Sequence, residues 1–158
     1  MRLIELKNIL QIDSGAPMPL VLSNDNNLYI IFYETDNNKI NTKINEEDSI
    51  VVVQFNYYSQ YKFGLPNDET LSGHPYYPLG LEWYSFYEVK DSDWIEQLIQ
   101  IDKVHENFNE SNWELQKHYI LTFHDNTFEC IAESFDVQGN LKGTMYEQAC
   151  TILNKILS

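Results

Sequence analysis

From His118 to Ala132 the chain alternates between two kinds of side chain, and no other stretch restricts the fold as strongly. Tyr119, Leu121, Phe123, Phe128, Cys130 and Ala132 occupy one set of alternate positions and are all apolar, whereas His118, Thr122, His124, Thr127 and Glu129 on the other set are polar. A period of two marks strands with one face in a core. Asp125 and Asn126 interrupt the pattern, and both residue types tolerate left-handed backbone, so the two runs read as a tight hairpin. Centring the turn on those two residues pairs His124 with Thr127, Thr122 with Glu129, Ile120 with Ile131 and His118 with Glu133. The chain is thus expected to hold an antiparallel sheet whose apolar face meets helices, with the polar face solvated and carrying a His118–Glu133 ion pair.

The remaining elements follow from the same rules. Leu3 to Ile12 reads as a first strand, and residues 19–22 and 28–34 as two strands joined by the polar loop Ser23 to Asn27. A further turn is expected within Thr35 to Asp48. Ser49 to Tyr57, with Val51, Val52 and Val53 in a row, reads as a central strand buried on both faces. Glu82 to Val89 is another strand. Trp94 to Phe108 reads as a helix capped by Asp93, with Trp94, Leu98, Ile101, His105 and Phe108 turned inward. A strand from Thr127 to Phe135 ends before an exit turn at Gly139 and Asn140. The last helix starts at Thr144, where Glu147 completes a capping box, and turns Met145, Ala149, Ile152 and Ile156 inward. Together these give one α+β domain over residues 1–158, built on a mainly antiparallel sheet of six or seven strands with two helices packed on one face.

Charge narrows the function. With 24 acidic and 10 basic side chains the net charge is −14, and the only arginine is Arg2. Lysines scattered from Lys7 to Lys155 form no cluster, so nucleic acid is not an expected partner. The same charge disfavours anionic membranes, and no apolar run approaches the roughly 20 residues of a spanning helix. A basic protein is the partner such a field attracts. Arg2, Glu5 and Lys7 interrupt the start of the chain and rule against a secretory leader, and two cysteines are too few for a disulfide framework, so a cytoplasmic protein is expected.

Two groups of residues stand out as candidates. Gln60 to Leu81 holds Pro66, Pro75 and Pro78 with Gly64, Gly73 and Gly80, which reads as a long loop. Seven of the 11 tyrosines lie between residues 57 and 87. Tyrosine combines contact area with a polar tip, so Tyr61, His74, Tyr76, Tyr77 and Trp83 are the candidate binding residues. The second group is His74, His124 and Glu129, the candidates for acid–base chemistry. No HExxH, CxxC, glycine-rich phosphate loop or GxSxG motif is present, and six residues of strand hold His118 and His124 about 20 Å apart, so neither a metal nor a cofactor is expected. Cys130, on the apolar face, and Cys150 read as inert packing thiols, and His105 as a packing residue.

The stretches Gly73-His74-Pro75-Tyr76-Tyr77-Pro78-Leu79-Gly80-Leu81 and His118 to Ala132 resemble segments of small uncharacterised bacterial proteins. The resemblance implies a bacterial source and carries over no activity and no site residue. The expected function is a protein-binding module, most concretely an immunity protein that neutralises a basic toxin. The alternative is a small-ligand binder or hydrolase-like enzyme using His74, His124 and Glu129.

Overall fold

A computed structural model gives the structure of residues 1–35 and 49–158. The turn expected within Thr35 to Asp48 lies, from residue 36 on, outside the described residues. The strands are β1 (Arg2–Glu5), β2 (Leu20–Ser23), β3 (Leu28–Glu34), β4 (Ser49–Asn56), β5 (Gln60–Gly64), β6 (Phe86–Lys90), β7 (Lys117–Thr122), β8 (Thr127–Ala132) and β9 (Ser134–Leu141); the helices are α1 (Asp93–Asp102) and α2 (Met145–Leu157).

The fold is α+β, but the strands form two antiparallel sheets instead of one. Five strands run in the order β1-β6-β7-β8-β5 and four in the order β2-β3-β4-β9. The apolar face of the β7–β8 hairpin packs against the second sheet and not against helices. Tyr119, Leu121, Phe128, Cys130 and Ala132 share one buried cluster with Leu28, Ile30 and Phe32 of β3 and Val51, Val53 and Phe55 of β4. Phe32 meets Phe123 edge-on at 5.1 Å and Phe55 stacks on Phe128 at 5.4 Å, both favourable aromatic arrangements.

The helices lie on opposite outer faces. Beneath α2 are Tyr29, Ile31, Ile50 and Val52, the other faces of β3 and β4, which contact Ala149 and Ile152. Trp94 of α1 packs on His118 of β7, and the segment from residue 66 to 85 covers the rest of that outer face. The continuous apolar runs of β3 and β4 require this, because each of their faces must be covered. The chain changes sheets at Glu133, whose amide donates to Asn56 O while β8 gives way to β9.

The helix α2 follows its sequence pattern, with Thr144 as cap and the reciprocal bonds to Glu147 in place. By contrast, α1 starts one residue earlier than expected, is capped by Ser92, and ends at Asp102. Its buried residues are Trp94 and Ile99, while Ile101 is 67% exposed and His105 lies outside the helix on the surface. The strand expected at Leu3 to Ile12 stops at Glu5, beyond which Asn8 takes a positive φ of 61°. Gly139 and Asn140 are no exit turn: they lie within β9, beside a bulge in its pairing with β4. No helix of the described residues is long and apolar enough to cross a membrane.

Candidate functional site

The β7–β8 hairpin turns at His124 and Asp125, one residue earlier than the sequence reading placed it, with Phe123 N–H donating to Asn126 O. That shift changes every partner by two: Thr122 faces Thr127, Ile120 faces Glu129 and His118 faces Ile131. Each residue keeps its face, because a shift of two preserves the strand period. The polar face, however, is buried. His118 and Ile120 have no exposure and Thr122 has 1%, so the expectation of a solvated face with a His118–Glu133 pair is wrong. The reason is the segment that follows β5.

That segment is bonded to the hairpin along its length. Thr127 Oγ1 donates to Pro66 O, and Asp68 N–H donates to His124 O. Thr122 Oγ1 donates to Glu82 O at 2.9 Å and accepts from Ser85 N–H at 3.0 Å. Two short 3-10 turns, Asp68–Gly73 and Tyr77–Leu79, fold Leu71, Tyr76 and Leu81 inward against Tyr87 and Ile120. Gly80 closes the second turn at φ 94°, a conformation that favours glycine. Part of the expected loop, Gln60 to Gly64, is the edge strand β5 paired with β8.

At the centre of the covered face stands Glu129. Its Oε1 lies 2.9 Å from His74 Nε2 and its Oε2 2.8 Å from His118 Nε2. His74 Nδ1 accepts the Tyr76 amide, so Nε2 carries the proton that is given to Glu129. His118 Nδ1 lies 2.8 Å from Ser92 Oγ, the cap of α1. Rings enclose the pair of imidazoles: Tyr76 is 5.2 Å from His74 and 5.6 Å from His118, and Trp94 is 5.1 Å from His118. The Tyr76 hydroxyl donates to Asp93 Oδ1 at 2.6 Å, and Lys62 Nζ sits 3.7 Å above the Trp94 ring.

This geometry sets the electrostatics. Burial alone would raise the Glu129 carboxyl, but the hydrogen bonds from His118 and His74 outweigh it and hold the group at about 2. Burial and the Asp93 hydrogen bond push the Tyr76 hydroxyl up. His124 stands apart. It is on the exposed hairpin tip, with Nδ1 3.0 Å from Asp125 Oδ1 and Nε2 3.7 Å from Asp68 Oδ2, and these two carboxylates raise its pKa. Of the three residues proposed for acid–base chemistry, the fold brings His74 and Glu129 together and leaves His124 out.

The candidate binding residues also divide. Tyr61 points between the sheets, its ring stacked 6.2 Å from Phe128 and its hydroxyl 3.0 Å from Ser23 Oγ. Tyr76 and His74 are buried in the network, each 6% exposed. Tyr77 is half-buried against the Leu71–Tyr87 cluster and meets the exposed Trp83 edge to face at 6.1 Å, and the Trp83 indole N–H donates to Asp68 O. Cys130 is wholly buried and burial raises its thiol; Cys150 is half-buried. The sequence reading missed Ser92 and Asp93 as partners of this site. Their signal was present only as a helix start, and nothing in the spacing ties that start to β7.

Imidazole and carboxylate atoms here are in direct hydrogen-bond contact, and no group of three or more His, Cys, Asp or Glu suited to a metal ion occurs among the described residues. No family model matches the chain, and no curated protein or solved structure matches it.

Proposed function

We propose that the chain is a protein-binding module that recognises a basic partner through the outer surface of the 66–85 segment and the adjoining hairpin tip. The observation that carries this reading is the pairing of Tyr77 with Trp83 on a segment whose inner side is held by the His74–Glu129–His118 network. A recognition surface is more effective when its side chains are ordered before binding, since less entropy is then lost on association. Trp83 is 39% and Leu79 40% exposed, and the same segment and the hairpin tip carry the acidic residues Asp68, Glu69, Glu82 and Asp125. Exposed aromatics among acidic groups complement a surface rich in lysine or arginine, and the net charge of −14 steers such a partner inward. An immunity protein that blocks a basic toxin is the most concrete form of this function.

The test is capture of proteins from cell extract by the wild type and by two variants, Trp83→Ala and the double change Glu69→Lys with Glu82→Lys. The expected result is a basic protein held by the wild type and lost by both variants at unchanged melting temperature. Retention of the same proteins by both variants would refute the reading.

A further inference from the structure

The Glu129 network does not end at its imidazoles: through His118 it reaches Ser92, and Ser92 borders a surface cleft of about 320 Å³ beside Val89, Ile95, Glu96, Glu114 and Lys117. We propose that Ser92 is a nucleophile for acyl transfer from small esters, with His118 as its general base and Glu129 as the carboxylate that orients the base. This activity is independent of the partner-binding surface and requires no partner.

Three observations carry it. The distances are those of a working relay, 2.8 Å from Ser92 Oγ to His118 Nδ1 and 2.8 Å from His118 Nε2 to Glu129 Oε2. A carboxylate only accepts hydrogen bonds, so Nε2 of a neutral His118 carries the ring proton and Nδ1 turns its lone pair toward the serine hydroxyl. That tautomer is the one a base needs, and the roles match those of a Ser-His-Asp triad with the two ring nitrogens exchanged. The ring itself is held by Trp94 and Tyr76, so the base keeps its orientation.

The second observation is the position of Ser92 between β6 and α1. Asp91 before it has φ 55°, and this left-handed residue turns the chain from the strand into the helix, setting the serine at the turn. The third is the helix start. Ser92 Oγ accepts the Ile95 amide, so the serine stands at a helix start, where first-turn amides lack intrahelical partners and are the kind of donor an oxyanion needs.

In the reaction, Ser92 Oγ adds to the carbonyl carbon of the ester as its proton passes to His118 Nδ1. The tetrahedral adduct collapses, the bond to the alcohol oxygen breaks, and the leaving oxygen takes the proton from His118. A water molecule, deprotonated by the same nitrogen, then attacks the acyl-serine; the bond from the acyl carbon to Oγ breaks, Oγ takes the proton back from His118, and the carboxylic acid is released. Ser92 is 8% exposed, which restricts the acyl group to a small one. The carboxylates of Glu96 and Glu114 on the cleft wall disfavour a negatively charged ester.

Two probes test this: a fluorophosphonate, with the modified residue located by peptide mass, and p-nitrophenyl acetate, with the release of p-nitrophenol followed over time. The expected results are one phosphonyl group on Ser92 and ester hydrolysis that falls at least about 100-fold in Ser92→Asn. Asparagine caps a helix as well as serine does, so this variant keeps the start of α1 while removing the nucleophile. The label is read on the unaltered protein, so that result does not depend on any variant folding. Absence of label from Ser92 in the folded protein, or hydrolysis that persists in Ser92→Asn, would overturn the assignment.

Discussion

Glu129 shows how one side chain joins three parts of the chain. It comes from β8, receives His118 from the neighbouring strand, and receives His74 from a segment 55 residues earlier. Replacing it with alanine leaves two buried imidazoles without their acceptor, a loss of about 3 to 5 kcal/mol by comparison with other broken buried pairs. The pH dependence has a definite sign. The folded-state value of about 2 lies below the ordinary 4.5, so the folded protein binds this proton more weakly than the unfolded chain does. Its stabilisation is complete above the ordinary value and is lost as pH falls toward 2. Urea unfolding at a series of pH values should show a stability loss over that interval that is shallower in Glu129→Gln. Equal slopes in the two proteins would mean that the carboxylate is not held by the histidines.

At the scale of elements, the apolar and polar faces of the β7–β8 hairpin were legible from alternation alone, and so was α2 from its capping box. What covers each face was not. Period two tells which side chains share a face, but not whether a helix, a sheet or a folded segment covers it, and here all three occur. The turn itself was misplaced because Asn126 is as acceptable in a turn as His124, and local chemistry did not separate the two registers. Gln60 to Gly64 escaped recognition as a strand because the glycine and proline that follow it pointed to a loop. Of the candidate site, His74 and Glu129 were both singled out in the sequence, but nothing in their spacing brings them together, and Ser92 was not singled out, since a helix cap gives no sign of the strand beside it. A sheet covered on both sides also changes the expected effect of substitutions. Phe123→Ala or Phe128→Ala should cost about 3 to 5 kcal/mol in thermal or chemical unfolding. Thr122→Ala should cost about 1 to 3 kcal/mol, because it strands the Glu82 carbonyl and the Ser85 amide. A Thr122→Ala loss near zero would mean that the 66–85 segment is not held as described.

For the molecule as a whole, two sheets face each other, α2 covers one outside, and α1 with the 66–85 segment covers the other. The second cover does two things at once: its inner side completes a buried polar network, and its outer side presents Leu79 and Trp83, with Tyr77 half-buried beneath Trp83. Composition predicted the acidic field but could not place it, because charge becomes a surface only after folding. The most direct measurement of the central claim is the association rate of the captured basic partner at low and high salt, for the wild type and the Glu69→Lys, Glu82→Lys variant. Exposed charges are screened beyond about 10 Å at 0.1 M salt, so steering should fade as salt rises. The wild-type rate is expected to fall by about tenfold or more, the variant to be slower at low salt, and the two to converge at high salt. Rates that are the same for both proteins and insensitive to salt would contradict that claim.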